Sequence, residues 1–229
     1  MINIGTTDFY LDVPSLPVEE FESYSTKLFD EWEEYVREVL KLPDYYLALD
    51  VQEGSISAKS KILVSATALC TFLATYGSIS SGAKSLYSDI RAVGNYLGEQ
   101  AAAPFPEANA KPRLRNRGEA LTKLQSLFVR VANGSLTPDE AMILARSLFG
   151  DDVPDFMDQL QESLENTPSQ LPLPIEEIEI DSIDTSGSDD ERNPPKQKER
   201  IRAIRPDQYR VEIWRESKKS ERNIRVRKV

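Results

Sequence analysis

Phe21, Tyr24, Leu28, Trp32, Tyr35 and Val39 recur at steps of three and four, which lays one apolar stripe along a helix over residues 17–40. Pro17 suits its first turn, and Glu19, Glu20 and Glu22 stand where the helix dipole favours anions. Before it, residues 8–13 read as a short strand stopped by Pro14 and Pro17. After it, residues 45–51 and 56–64 flank Glu53-Gly54-Ser55 and predict a hairpin, although 56–64 reads equally well as the entry to the next helix.

That next segment is the most unusual apolar stretch: the 22 residues 62–83 carry no charge. Ala66, Cys70, Ala74, Ser78 and Gly82 fall at four-residue steps, so on one helix they form a ridge of small side chains that another backbone can approach closely. Gly94 and Gly98 repeat the spacing in a second amphipathic helix over 85–97. The ridge predicts close helix packing, either inside the protein or between copies in a homo-oligomer. Its length also matches the roughly 20 apolar residues that span a bilayer core. A membrane-acting protein that inserts or oligomerises through helix 62–83, with Lys59, Lys61, Lys84 and Arg91 at headgroup level, is therefore the alternative. Ser65, Thr67, Thr71, Thr75, Ser80 and Ser81 dilute the stretch and favour a buried helix, in which Cys70 is a small core residue.

Residues 104–117 read as a linker, with Lys111, Arg113, Arg115 and Arg117 a solvated basic connector. A three-helix module then spans 118–166. Leu121, Leu124, Phe128 and Val131 form the first stripe, and Asn133-Gly134 stops it. Thr137-Pro-Asp-Glu140 is a capping box, Met142, Ala145, Leu148 and Phe149 continue that helix, and Phe156, Leu160 and Leu164 mark the third. The second helix carries Asp139, Glu140 and only Arg146, which does not suit a phosphate-lined groove, so a DNA-reading helix-turn-helix is set aside.

Residues 167–200 form an acidic tether rich in Pro, Ile and Ser, and 201–229 alternate in the manner of a strand pair over 208–215 and 223–228. An isolated hairpin is marginal in water. The nearest third strand by sequence is the acidic isoleucine segment 175–183. The expected architecture is α+β and mainly helical. It has an α+β core over 1–103 with a short N-terminal strand region, the small helical module, and a C-terminal β-hairpin.

Charge sharpens this picture. Residues 192–229 hold 14 Lys and Arg against 5 Asp and Glu, a formal +9, while residues 1–191 carry −19. From 147 to 191 there are 14 acids and no base. The chain has no histidine and one cysteine, which removes histidine general bases, Ser–His–Asp and Cys–His nucleophiles, histidine or cysteine-cluster metal sites, and internal disulfides. No glycine-rich phosphate loop is present. The acids at 151, 152, 155 and 158 lack the spacing and glycine of a calcium loop. No cofactor, metal or catalytic set is expected. The N-terminal residues lack the pattern of a secretory signal, so an intracellular, cytoplasmic chain is expected.

The expected function is a non-enzymatic interaction module or adaptor. Arg202, Arg205, Arg210, Arg215, Lys218, Lys219, Arg222, Arg225 and Arg227 of the basic hairpin would dock an acidic surface of another protein, self-masked by the acidic tether until displaced. The acidic remainder of the chain repels phosphate and argues against nucleic acid as the partner.

Overall fold

A six-stranded antiparallel sheet runs in the order β4-β1-β3-β2-β5-β6. The computed structural model describes residues 1–76, 78–106, 111–150, 154–168 and 208–229. The strands are β1 (Ile2–Tyr10), β2 (Tyr46–Gln52), β3 (Ser57–Val64), β4 (Arg113–Arg117), β5 (Tyr209–Arg215) and β6 (Arg222–Lys228). The helices are α1 (Val18–Leu40), α2 (Ala66–Ala74), α3 (Ile79–Ala102), α4 (Glu119–Ala132), α5 (Pro138–Phe149) and α6 (Pro154–Glu165). The α+β class and the C-terminal hairpin are as expected.

The helix over 62–83 is not formed. Ala58, Ser60, Ile62 and Val64 are buried while Lys59 and Lys61 are exposed, the period of two that makes β3 a strand through Val64. The Ser65 hydroxyl then accepts the Ala68 N–H and starts α2, and the Ser78 hydroxyl accepts the Ser81 N–H and starts α3. Two serine caps therefore divide the uncharged stretch, and the four-residue ridge is split with them. Ala66, Cys70 and Ala74 lie on α2, Ser78 is a cap, and Gly82 belongs to α3. Among the described residues no helix is long and apolar enough to cross a membrane.

Gly94 and Gly98 allow close approach, but to strands. A Cβ on Gly98 would stand 2.6 Å from Leu114 of β4, and one on Gly94 would strike Asn116 of β4 and Thr7 of β1. On β1, a Cβ at Gly5 would lie 2.6 Å from Ile90 of α3. Helix α3 thus rides directly on β1 and β4. The expected linker contributes one of those strands, because Arg113–Arg117 pairs in register with Thr6–Tyr10.

The strand beside the hairpin is β2; the acidic segment 175–183, expected there from sequence, lies outside the described residues. Leu47, Leu49 and Val51 stand opposite Arg215, Ile213 and Val211. Val211 and Ile213 are 0% and 1% exposed, so β5 belongs to the main core. Apolar burial explains the choice: β2 offers Leu47, Leu49 and Val51 on the face that α1 covers. One continuous cluster of buried apolar residues joins Ile4, Trp32, Leu97, Leu124, Leu160 and Ile213. The three helices α4, α5 and α6 close against it, with the capping box at Thr137 and Glu140 formed as the sequence predicts.

Candidate docking face

Pleating sends alternate residues of a strand to opposite faces. On the helix-covered face lie Leu47, Leu49 and Val51 of β2 with Ala58, Ser60 and Ile62 opposite them on β3. The other face is read from the same register. One row across the sheet is Arg115, Asp8, Lys59, Asp50, Glu212 and Arg225. A second is Arg117, Thr6, Lys61, Ala48, Trp214 and Asn223, and a third is Arg113, Tyr10, Ser57, Gln52, Arg210 and Arg227. Of these residues only Thr6 is buried; all others are exposed or half-buried. Among the described residues this face is uncovered, and it gathers Lys59, Lys61, Arg113, Arg115, Arg117, Arg210, Arg225 and Arg227 against Asp8, Asp50 and Glu212.

Three of those acids are already engaged. Arg117 pairs with Asp8, Arg210 with Asp50 at 3.1 Å, and Arg227 with Glu212 at 3.5 Å. Desolvation raises the Asp50 carboxyl above its ordinary range, with the Arg210 charge pulling the other way. Lys59, Lys61, Arg113, Arg115 and Arg225 form no close ion pair with an acid among the described residues, although the charges of Lys59 and Lys61 also act on Asp50. Arg225 instead lies over the Trp214 ring, 6.0 Å from its centroid.

The hairpin residues expected to face a partner divide three ways. Arg210, Arg225 and Arg227 point to the open face. Arg215 and Arg222 turn to the helix side, where Arg215 meets Glu33 of α1 at 2.7 Å and Arg222 pairs with Asp30. Lys218 and Lys219 sit in the turn. The Lys218 N–H donates to Asp44 Oδ1 at 2.9 Å, its ammonium donates to the Leu42 carbonyl, and it lies 4.8 Å over the Tyr45 ring. Desolvation, then the nearby Arg37 charge, lowers the Lys218 ammonium against the pull of Asp44. Desolvation raises the Asp44 carboxyl, but the hydrogen bonds from Lys218, Ser217 and Tyr45 outweigh it and hold it below its ordinary value. Lys218 is thus an anchor of the hairpin to the α1–β2 loop. Arg202 and Arg205 lie outside the described residues.

Lys59, Lys61, Arg113, Arg115 and Arg117 join the same face without having been assigned to it from sequence. The signal was their spacing of two, which on strands puts them all on one side. Read as a connector and as helix flanks, they carried no shared direction. The residues expected to pack a helix ridge do not converge: Cys70 is buried with its thiol pushed up to about 12 by burial, while Gly82 faces Tyr76 of the α2–α3 connection. Apart from the sheet, a cavity of about 640 Å³ lies between the start of α3, α4 and the end of α6, with Lys84, Gln125 and Glu162 in its wall. Among the described residues no group of three or more His, Cys, Asp or Glu is placed to hold a metal ion. The chain matches no family model, no curated protein and no solved structure.

Proposed function

We propose that this chain is a non-enzymatic docking module that holds an acidic surface of another protein through its basic C-terminal hairpin. The observation that carries the reading is the placement of β6. It is the last strand of the sheet, all seven of its residues are exposed, and four of them are basic. Arg225 in the strand and Lys219 in the turn have no acidic partner among the described residues, so an incoming carboxylate meets cations that no internal pair neutralises. Lys59, Lys61, Arg113 and Arg115 extend the same sign of charge across the open face. A cytoplasmic setting fits a single buried thiol.

The acidic stretch 175–191 outside the described residues is the internal competitor in this reading: it is tethered close to the hairpin and carries the charge of the expected partner. The test is co-purification from the native cell with the full chain and with a Lys219→Glu/Arg225→Glu chain. Both residues are exposed, so folding should be unchanged and the salt-sensitive partner lost. Retention of the same partner by the charge-reversed chain would reject hairpin docking. A peptide of residues 170–191 added in excess should displace the partner; no displacement would reject the self-masking element alone.

A further inference from the structure

We propose that β6 accepts an additional strand: an extended acidic segment of the partner pairs main chain to main chain with its outer edge. This rests on the docking reading above and names its mode.

The register decides which groups the edge offers. The Val229 N–H donates to the Gln208 carbonyl at 2.8 Å, so 208 and 229 form a hydrogen-bonded pair. Such pairs alternate with non-bonded ones along an antiparallel ladder. Continuing the unbroken register, Arg210 with Arg227, Glu212 with Arg225 and Trp214 with Asn223 are the bonded pairs. The other side of β5 agrees. The Glu53 N–H donates to the Tyr209 carbonyl at 2.9 Å, so the odd-numbered residues of β5 bond to β2 and the even-numbered ones to β6. Asn223, Arg225 and Arg227 therefore turn their N–H and C=O inward. Arg222, Ile224 and Val226 turn theirs out, beyond the last strand of the sheet.

Side chains then state what the incoming strand must look like. Ile224 and Val226 lie on the helix side, opposite buried Ile213 and Val211, yet each remains 38% exposed. They are two apolar seats at the margin of the core. On the open face, Arg225 and Arg227 flank the same stretch. A strand laid beside β6 would set apolar residues next to Ile224 and Val226 and acids next to Arg225 and Arg227, an alternation of apolar and acidic positions. A second copy of this chain is a poor occupant. Its own β6 would bring Arg222, Arg225, Arg227 and Lys228 against the same four cations, a repulsive edge of the kind that keeps sheets from pairing with themselves.

The experiment uses the full chain and a fluorescent seven-residue peptide alternating Glu and Val, followed by anisotropy. Three arms separate strand pairing from charge. The first is the parent peptide. The second is the same peptide N-methylated at every main-chain nitrogen, which keeps its charge and removes its donors on both edges. The third is the Ile224→Pro chain, in which the missing N–H faces outward, so the ladder to β5 is kept. The parent should bind with an affinity that falls as salt rises, and the second and third arms should each weaken it about tenfold, the loss of one or two hydrogen bonds. Equal binding in all three arms would overturn strand addition and leave charge docking standing. No binding of the parent at low salt, together with partner retention by Lys219→Glu/Arg225→Glu, would remove the docking reading itself. If Ile224→Pro melts early, the N-methylated peptide decides. A concentration-dependent dimer that the peptide dissolves would give the edge to a second copy. A chain that takes the peptide only after Glu176, Glu177, Glu179 and Asp181 become amides would keep the edge for its own segment. Either result overturns the partner as occupant.

Discussion

Glu33 is 4% exposed on α1, and two guanidinium groups reach it: Arg215 from β5 at 2.7 Å and Arg37 from its own helix at 3.3 Å. A carboxylate withdrawn from water is tolerable only while such partners stay. Arg215→Ala should therefore cost more than an ordinary surface change. We expect about 2 kcal/mol by denaturant unfolding, below the ~3–5 kcal/mol of a fully buried pair because Arg215 is itself partly exposed and Arg37 remains. Adding Glu33→Gln should recover part of the loss, since the group left unpaired is then neutral; no recovery would mean that Arg215 acts through packing alone. Sequence spacing offers no hint of this contact, because residues 33 and 215 meet only through the sheet order. Reading Arg215 as a partner contact was reasonable on charge and wrong on direction. Cys70 offers a second residue-scale prediction. Burial raises its thiol from 9.0 to about 12, so the folded form keeps a proton that the unfolded form releases above pH 9. Its contribution to stability is complete below pH 9 and is lost as pH rises toward 12. Alkylation of Cys70 at pH 8 should be slow in the folded chain and fast in denaturant; equal rates would contradict the burial.

At the scale of elements, the contact between α3 and the sheet depends on missing side chains. Gly94 faces Thr7 and Asn116, which hydrogen-bond to each other at 2.9 Å, and Asn116 continues to Asn95 at 2.8 Å. An alanine at 94 gains about 1 kcal/mol in helix propensity. It also forces a methyl group into a hydrogen-bonded pair with no room to withdraw, and overpacking of this kind costs ~1–3 kcal/mol. We expect Gly94→Ala to lower the melting temperature, and a rise would show that α3 can lift from the sheet at little cost. The four-residue spacing of Gly94 and Gly98 was visible in the sequence, but the spacing names only a smooth surface, and strands use it as well as helices do. The stretch 62–83 failed for a related reason. Its lack of charge hid a change of period: Ala58, Ser60, Ile62 and Val64 alternate, then Ser65 and Ser78 each supply a cap. Capping signals outrank apolar continuity there. Where the apolar period was unbroken, as in α1, or agreed with a capping box, as in α5 with Thr137 and Glu140, the elements were readable almost to their ends.

For the whole molecule, the basic hairpin is both a surface and a part of the core, and these two roles are separable by experiment. The open-face charges of the whole sheet come from three distant stretches, around Lys59, Arg113 and Arg225, that only the strand order brings together. The basic tail was readable as a charged hairpin, but its seat beside β2 was not, because strand partners far apart in sequence leave no local signature. That seat has a thermodynamic consequence. A chain ending at Glu191 loses β5 and β6, uncovering Leu47, Leu49 and Val51 and giving up the burial of Val211 and Ile213. Two fully buried aliphatic side chains are worth about 3–6 kcal/mol, against total stabilities of about 5–15 kcal/mol for domains of this kind. The shortened chain should therefore unfold at clearly lower denaturant and associate through the uncovered edge of β2, visible as higher-order species by size-exclusion chromatography. Arg225→Gln, which removes the charge and leaves that burial intact, should stay within about 0.5 kcal/mol of the parent. If the chain ending at Glu191 were monomeric and as stable as the parent, β5 would be an appendage rather than a core strand. The hairpin would then be free to move as a unit, and the fixed register that orients Ile224 and Val226 along the edge would no longer hold.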